Sequence, residues 1–202
     1  MLEIKINGIF YWDDSSENES DHHFVDLPPV TLKLEHSLVS ISKWEAKWKK
    51  PYLQEGVRTD RKEILDYIKC MTLNYREIKA IEDKLREADD SIEEDVYYNL
   101  LNSEQHEKIQ NYIDDSMTAT WFTNREKKFG KKEIVTSEVI YSWLVALQIP
   151  FEVQYWHLNR LITLVNVVND KNTPKKKRSR ADVLKEQYKQ NEARLAKYGT
   201  TG

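Results

Sequence analysis

The sequence predicts a mainly α-helical domain with a small β element at its N-terminus and a basic, flexible tail at its C-terminus. Apolar residues alternate with polar ones before Ser37 and recur every three or four residues after it, which are the periods of strands and helices. Of the 202 residues, 40% are hydrophobic, and six Trp, eleven Tyr and five Phe can build a packed core. We therefore predict N-terminal β-strands with an acidic loop in residues 1–36, a helical body in residues 37–169 and a basic tail in residues 170–202.

Two short strands are predicted at the N-terminus, in residues 2–6 and 30–34. In both runs apolar and polar residues alternate, which is typical of strands with one buried face. Residues 13–23 between them are rich in Asp, Glu and Ser, so we expect a mobile, solvated loop there.

Two helix starts follow, each marked by a residue that can cap the free amides of a first turn. Ser37 precedes a helix that Pro51 ends. Asp60 with Glu63 resembles a capping box and opens a second helix. The apolar residues at helical spacing in this second helix are Ile64, Ile68 and Met71.

Three further helices are predicted before residue 114. Residues 75–90 are strongly charged and could form a solvated helix or a loop, of which the helix is favoured. Ser91 with Glu94 resembles another helix start. A short helix in residues 103–113 would turn Ile109, Tyr112 and Ile113 inward.

A helical hairpin is predicted for residues 134–168. Thr136 can cap a helix that runs through Gln148, Pro150 interrupts it, and a second helix spans residues 151–169. Both helices are apolar on more than one face, which is typical of a central core element, a partner interface or a self-association surface. The candidate protein-binding residues in this hairpin are Trp143, Leu147, Trp156 and Leu161.

The tail differs from the body in charge. Residues 170–202 carry a net charge of +6, whereas the formal charge of the whole chain is −3. The basic run in residues 174–180 could contact phosphates, but it has no interleaved aromatic residues for base stacking. A role in solubility, contact with a protein partner, or simple disorder of the run is therefore favoured over nucleic-acid binding.

The residues that could carry chemistry do not form a recognisable catalytic or metal-binding pattern. Five glycines form neither a phosphate-binding loop nor a dinucleotide fingerprint, and the single Cys70 cannot form an internal disulfide. His22 and His23 lie in the acidic loop, where solvated side chains are favoured over metal ligands. His157 has no neighbouring nucleophile in sequence and is interpreted as a packing or interface histidine. We predict no enzymatic activity, no metal and no cofactor.

The sequence shows neither a recognisable signal peptide nor an apolar run long enough to span a membrane. The first residues do not resemble a signal peptide, and the most apolar run, residues 161–168, is far shorter than the roughly 20 residues that span a bilayer. We expect a soluble intracellular protein without a membrane contact.

Several segments, taken in order, resemble the tail assembly chaperones of long-tailed bacteriophages. The likeness covers about residues 30–202, and its most specific part is the run Tyr155-Trp156-His157-Leu158-Asn159-Arg160-Leu161. The other segments that carry it are residues 32–38, 42–45, 67–72, 117–122, 174–177 and 191–194.

The resemblance implies a non-enzymatic role in the host cell cytoplasm. Members of that family bind the helical tape-measure protein before the tail tube polymerises around it, and they are absent from the mature virion. Many are made in two lengths by a ribosomal frameshift, so the implied partners are the tape-measure protein and a longer form of this chain. The alternative is a structural virion component, such as a tail-completion or head-to-tail connector protein.

Overall fold

A computed structural model describes residues 1–7, 9–12, 24–54, 56, 60–90, 92–120, 134–172, 184–185 and 187–192. The described residues contain seven α-helices, one 3-10 helix and four short strands, and residues 184–185 and 187–192 are also helical. This confirms the predicted mainly α fold with a small N-terminal β element. Contacts divide the chain into two compact units, Met1–Val168 and Asn169–Gly202. The predicted acidic loop of residues 13–23, with His22 and His23, and the basic run of the tail lie outside the described residues.

The β element contains two antiparallel pairs of strands. Strands β1 (Leu2–Ile6) and β4 (Val30–Leu34) pair with Ile4 opposite Leu32, as their alternating pattern predicts. Strands β2 (Ile9–Trp12) and β3 (Phe24–Leu27) form a second pair that the sequence analysis did not predict. Residues 9–12 are continuously apolar, so they lack the alternation that marks a strand.

Helices α1 (Leu38–Trp48) and α2 (Arg61–Met71) begin where their caps predict. The Ser37 hydroxyl accepts a hydrogen bond from the amide of Ser40, and the Asp60 carboxylate accepts one from the amide of Lys62. Glu63 does not complete the predicted capping box, because its carboxylate forms an ion pair with Lys50 instead.

The predicted apolar face of α2 is only partly buried. All three residues lie in α2 as the spacing predicts, but only Ile68 and Met71 are buried, whereas Ile64 is 40% exposed. The side chains that α2 buries also include Glu63 and Asp66, since this helix is surrounded on several sides.

Helices α3 (Tyr75–Ala88) and α5 (Ser103–Asp114) confirm the predicted helices in these regions. In α5, Ile109 and Tyr112 are buried as predicted, and Ile113 is half-buried. Between them α4 (Val96–Asn99) is a single turn that follows Asp95, which has a left-handed backbone with φ of 61°. The predicted start at Ser91 lies outside the described residues.

The end of the folded unit contains α6 (Ser137–Ala146), the 3-10 helix (Phe151–Tyr155) and α7 (Leu158–Asn172). The predicted continuous helix over residues 151–169 is therefore wrong. The chain is extended at Trp156, and the amide of Leu158 donates a 2.7 Å hydrogen bond to the carbonyl of His36. This contact with a distant segment ends the 3-10 helix before α7 begins.

Helix α1 lies at the centre of the packing. It contacts α2, α6 and the 3-10 helix, and the β1–β4 pair supplies further buried aliphatic side chains to the core. In the part of the chain that the structure describes, no helix is long and apolar enough to cross a membrane.

Candidate protein-binding surface

Helix α6 is attached to α1 by a buried carboxylate. Glu45 of α1 accepts a 2.8 Å hydrogen bond from the amide of Ser137 at the first turn of α6. Its other oxygen accepts a 2.8 Å bond from the amide of Tyr52. Thr136 occupies the predicted N-cap position, but its side chain makes no capping bond. The amide that Glu45 satisfies is that of Ser137, the first residue of the helix.

A tight turn joins α6 to the 3-10 helix. The amide of Ile149 donates to the carbonyl of Leu144, and the amide of Gln148 donates to the carbonyl of Val145, which is the pattern of a Schellman cap. Gln148 has the left-handed backbone of that motif, with φ of 54°. Pro150 cannot continue a helix, so the chain reverses here and brings the 3-10 helix beside α6.

The turn creates an exposed apolar surface, which we call the aromatic patch and define as Tyr141, Val145, Phe151 and Tyr155. The rings of Tyr141 and Phe151 lie 6.2 Å apart, and the Tyr141 hydroxyl donates a 2.9 Å hydrogen bond to Oε1 of Gln154. Val145 lies one helical turn after Tyr141. Phe151 is 50% exposed and Tyr155 64%, so large rings remain accessible after the chain has folded.

Tyr141 is the partly buried member of the patch, and its phenol group stays uncharged. Burial, followed by the neighbouring Tyr155 and Glu138, raises the pKa of the Tyr141 phenol. The hydroxyl is therefore protonated at neutral pH and remains the donor to Gln154. This bond fixes the ring of Tyr141 and leaves the patch without a formal charge of its own.

Trp156 follows the patch directly in sequence and is 37% exposed. The guanidinium of Arg160 lies 4.4 Å from the centre of its indole ring, in cation–π geometry. Trp and Arg are both enriched among the residues that contribute most to the binding energy of protein interfaces.

The four binding residues predicted from the sequence occupy different environments. Trp156 is accessible, whereas Trp143 and Leu147 are partly buried and pack against the core. Leu161 is 0% exposed, so it fills the core in this conformation and offers no surface to a partner.

Phe151 and Tyr155 were not among the predicted binding residues. A helical interpretation of residues 151–169 drew attention to the long apolar run that follows them. The signal that could have found them is Pro150, which separates Phe151 and Tyr155 from the preceding helix. Both rings also lie before the long apolar run, which begins at Leu158.

His157 lies in a buried cluster of rings, as the packing interpretation predicts. It is 6% exposed, its Nε2–H donates a 2.9 Å hydrogen bond to the carbonyl of Tyr112, and its ring centre lies 5.0 Å from that of His36. Its Nδ1 is buried and has no hydrogen-bond partner among the described residues. These contacts connect α5 and the segment before α1 to the start of α7.

The remaining titratable candidates do not gather into a site. Burial raises the pKa of the Cys70 thiol, which favours the unreactive protonated form. Within the described ranges, no group of three His, Cys, Asp or Glu side chains is placed to hold a metal ion.

Comparisons of the chain with protein-family models, with curated proteins and with solved structures found no match.

Proposed function

We propose that this chain is a non-enzymatic tail assembly chaperone of a long-tailed bacteriophage, which binds the tape-measure protein and keeps it soluble until the tail tube polymerises. The observation that carries the proposal is the exposed aromatic patch on α6 and the 3-10 helix. The patch supports the proposal together with the sequence segments in residues 30–202 that resemble this chaperone family in the same order along the chain. In this proposal the chain acts in the host cytoplasm and is missing from the finished virion.

The patch suits a client whose helices present apolar stripes. Exposed aromatic rings offer a large apolar contact area at little cost in side-chain entropy, and clusters of this kind mark interaction surfaces. The backbone beneath the rings is held by the Schellman turn and by Glu45, so the rings are presented from ordered elements. A longer, frameshifted form of the chain and a second copy are the other partners included in this proposal.

Co-purification with a co-expressed tape-measure protein tests the binding step. The Phe151→Ser variant removes the central ring of the patch, and we expect it to lose most of the bound client. Leu73→Ser is the matched control, because Leu73 is also an exposed apolar residue but lies in the turn between α2 and α3. Equal retention of the client by both variants would contradict the role of the patch.

Quantitative mass spectrometry of purified particles tests the class of protein. A chaperone is expected to be absent from the particles, whereas a tail-completion or connector protein would be present in a fixed number of copies. The second result would overturn the chaperone proposal and support the structural alternative.

A further inference from the structure

An apolar groove of about 340 Å³ lies between α2 and α5 and shares no residue with the aromatic patch. Each helix contributes two isoleucines one turn apart, Ile64 and Ile68 from α2, and Ile109 and Ile113 from α5. Ile68 and Ile109 are buried and form the floor of the groove. Ile64 is exposed and Ile113 half-buried, so the walls remain accessible.

The described residues that line the groove carry no charge at neutral pH. Its polar members include His106 and Gln110. Burial, followed by the positive charge of Arg61, lowers the pKa of His106, so the imidazole is neutral at pH 7. An uncharged lining with an aliphatic floor suits an apolar side chain.

The rim of the groove along α5 is acidic. Gln110 donates a 2.8 Å hydrogen bond to Oδ2 of Asp114, which places that carboxylate beside the lining. Glu107 lies three residues before Gln110 and therefore on the same stripe of the helix. Both carboxylates are exposed, and neither forms an ion pair with a cation among the described residues. The α5 edge of the groove thus presents negative charge, whereas the positive charge of Arg61 lies near His106 at the start of α2.

We propose that this groove binds an amphipathic α-helix of a partner protein, with an aliphatic stripe against the isoleucines and Lys or Arg along the edge that faces Glu107 and Asp114. Pairs of isoleucines spaced one turn apart on two helices match the i, i+3 or i+4, i+7 spacing of a helical ligand. The acidic rim selects a basic edge by charge complementarity. An extended peptide is a poorer match, because the walls are helices whose backbone groups are already bonded.

The test uses the full chain and two stapled helical peptides as probes. Both peptides carry the same leucine stripe, and their polar edges carry either Lys or Glu. We expect the Lys peptide to bind at least about 10-fold more tightly than the Glu peptide at low salt, with the difference shrinking as salt screens the exposed rim. Fluorescence anisotropy of the labelled peptides measures both affinities.

Ile64→Asp tests the groove itself. The side chain is already 40% exposed, so we expect the variant to fold, which far-ultraviolet circular dichroism checks. A carboxylate in the apolar wall should weaken binding of the Lys peptide by about 10-fold or more. Leu73→Asp is the matched control, since it makes the same change at an exposed residue outside the groove, and its affinity should equal that of the wild type.

Glu107→Lys tests the charge complementarity. Reversal of the rim charge should weaken binding of the Lys peptide several-fold and strengthen binding of the Glu peptide. Glu87→Lys makes the same change on an exposed position of α3 that does not line the groove, so it should leave the difference between the peptides unchanged.

Three results would overturn the inference. They are equal affinity for the two peptides, undiminished binding by Ile64→Asp, and a wild-type dimer in sedimentation that Ile64→Asp dissociates, because a second copy would then fill the groove. The inference does not depend on the proposed chaperone function. Phe151→Ser is expected to bind the Lys peptide normally, so failure of the aromatic patch and failure of the groove can be distinguished.

Discussion

Helix α1 and the segment formed by α6 with the 3-10 helix are both rich in aromatic residues, yet they place those residues differently. In α1, Trp44 is fully buried, its ring lies 5.4 Å from that of Tyr52, and its indole N–H donates to the carbonyl of Glu63. In the other segment, Phe151 and Tyr155 remain exposed. Helix α1 is covered by α2, α6 and the 3-10 helix, whereas these last two elements pack on α1 with one side. An apolar helix becomes core or interface according to how many elements cover it.

Trp44→Ala gives the largest expected effect on this comparison. Loss of a fully buried indole should reduce the free energy of unfolding by about 3–5 kcal/mol, because a cavity is left in the core. Phe151→Ala should cost less than about 1 kcal/mol, since half of that side chain is already in water. Urea denaturation of both variants measures the difference. Similar losses would show that the patch is part of the core.

Glu45→Ala breaks the connection between the two regions. Both carboxylate bonds disappear, and the buried amides of Ser137 and Tyr52 lose their acceptors. We expect a loss of about 2–3 kcal/mol, the cost of leaving buried donors unpaired. Glu87→Ala is the control at an exposed position of α3, where a change within about 0.5 kcal/mol is expected. An unchanged midpoint for Glu45→Ala in thermal unfolding would contradict this role.

Glu82 on α3 extends the comparison to a buried carboxylate with poorer partners than Glu45. Among the described residues its one hydrogen bond is a 3.4 Å bond accepted from the amide of Tyr97, and burial raises its pKa from 4.5 to about 7. The unfolded state binds this proton less tightly, so Glu82 favours the folded state below pH 4.5 and this contribution is lost as the pH rises through 7. Glu82→Gln should therefore stabilise the protein by about 1–2 kcal/mol at pH 8.

The pH dependence of Glu82→Gln supplies its own control. Glutamine retains an acceptor for the Tyr97 amide but cannot ionise, so the gain over the wild type should nearly vanish at pH 4. Thermal unfolding at the two pH values checks this. A constant difference at both would show that the ionisation of Glu82 is not the cause.

Gln148→Gly gives the smallest expected effect and concerns the turn beneath the patch. A side chain in the left-handed region is strained, so glycine should raise the stability by about 0.5–1 kcal/mol without moving the aromatic rings. Ala146→Gly, in the last turn of α6, should lower it by a similar amount, because glycine there only adds backbone entropy to the unfolded chain. The opposite signs can be measured in one series of urea titrations.

The sequence alone determined the elements whose signals are local. The pairing strands at residues 2–6 and 30–34, the starts of α1 and α2 and the helices over residues 75–88 and 103–114 follow from alternation, helical spacing and capping residues. These signals arise between residues close in the chain, so no tertiary contact is needed to interpret them. The sequence also shows directly that residues 134–168 contain more apolar residues than one buried helix face needs.

Only the tertiary structure decided which of those apolar residues face outward. Periodicity fixes how side chains are arranged around a helix, but not which side other elements will cover. Leu161 was predicted at an interface and is buried, whereas Phe151 is exposed. The two residues lie in different elements because the chain is extended at Trp156, next to the hydrogen bond between the amide of Leu158 and the carbonyl of His36. The anchor of α6 likewise comes from Glu45, 92 residues before its partner Ser137. Contacts at such separations depend on the whole fold, and no local pattern in the sequence records them.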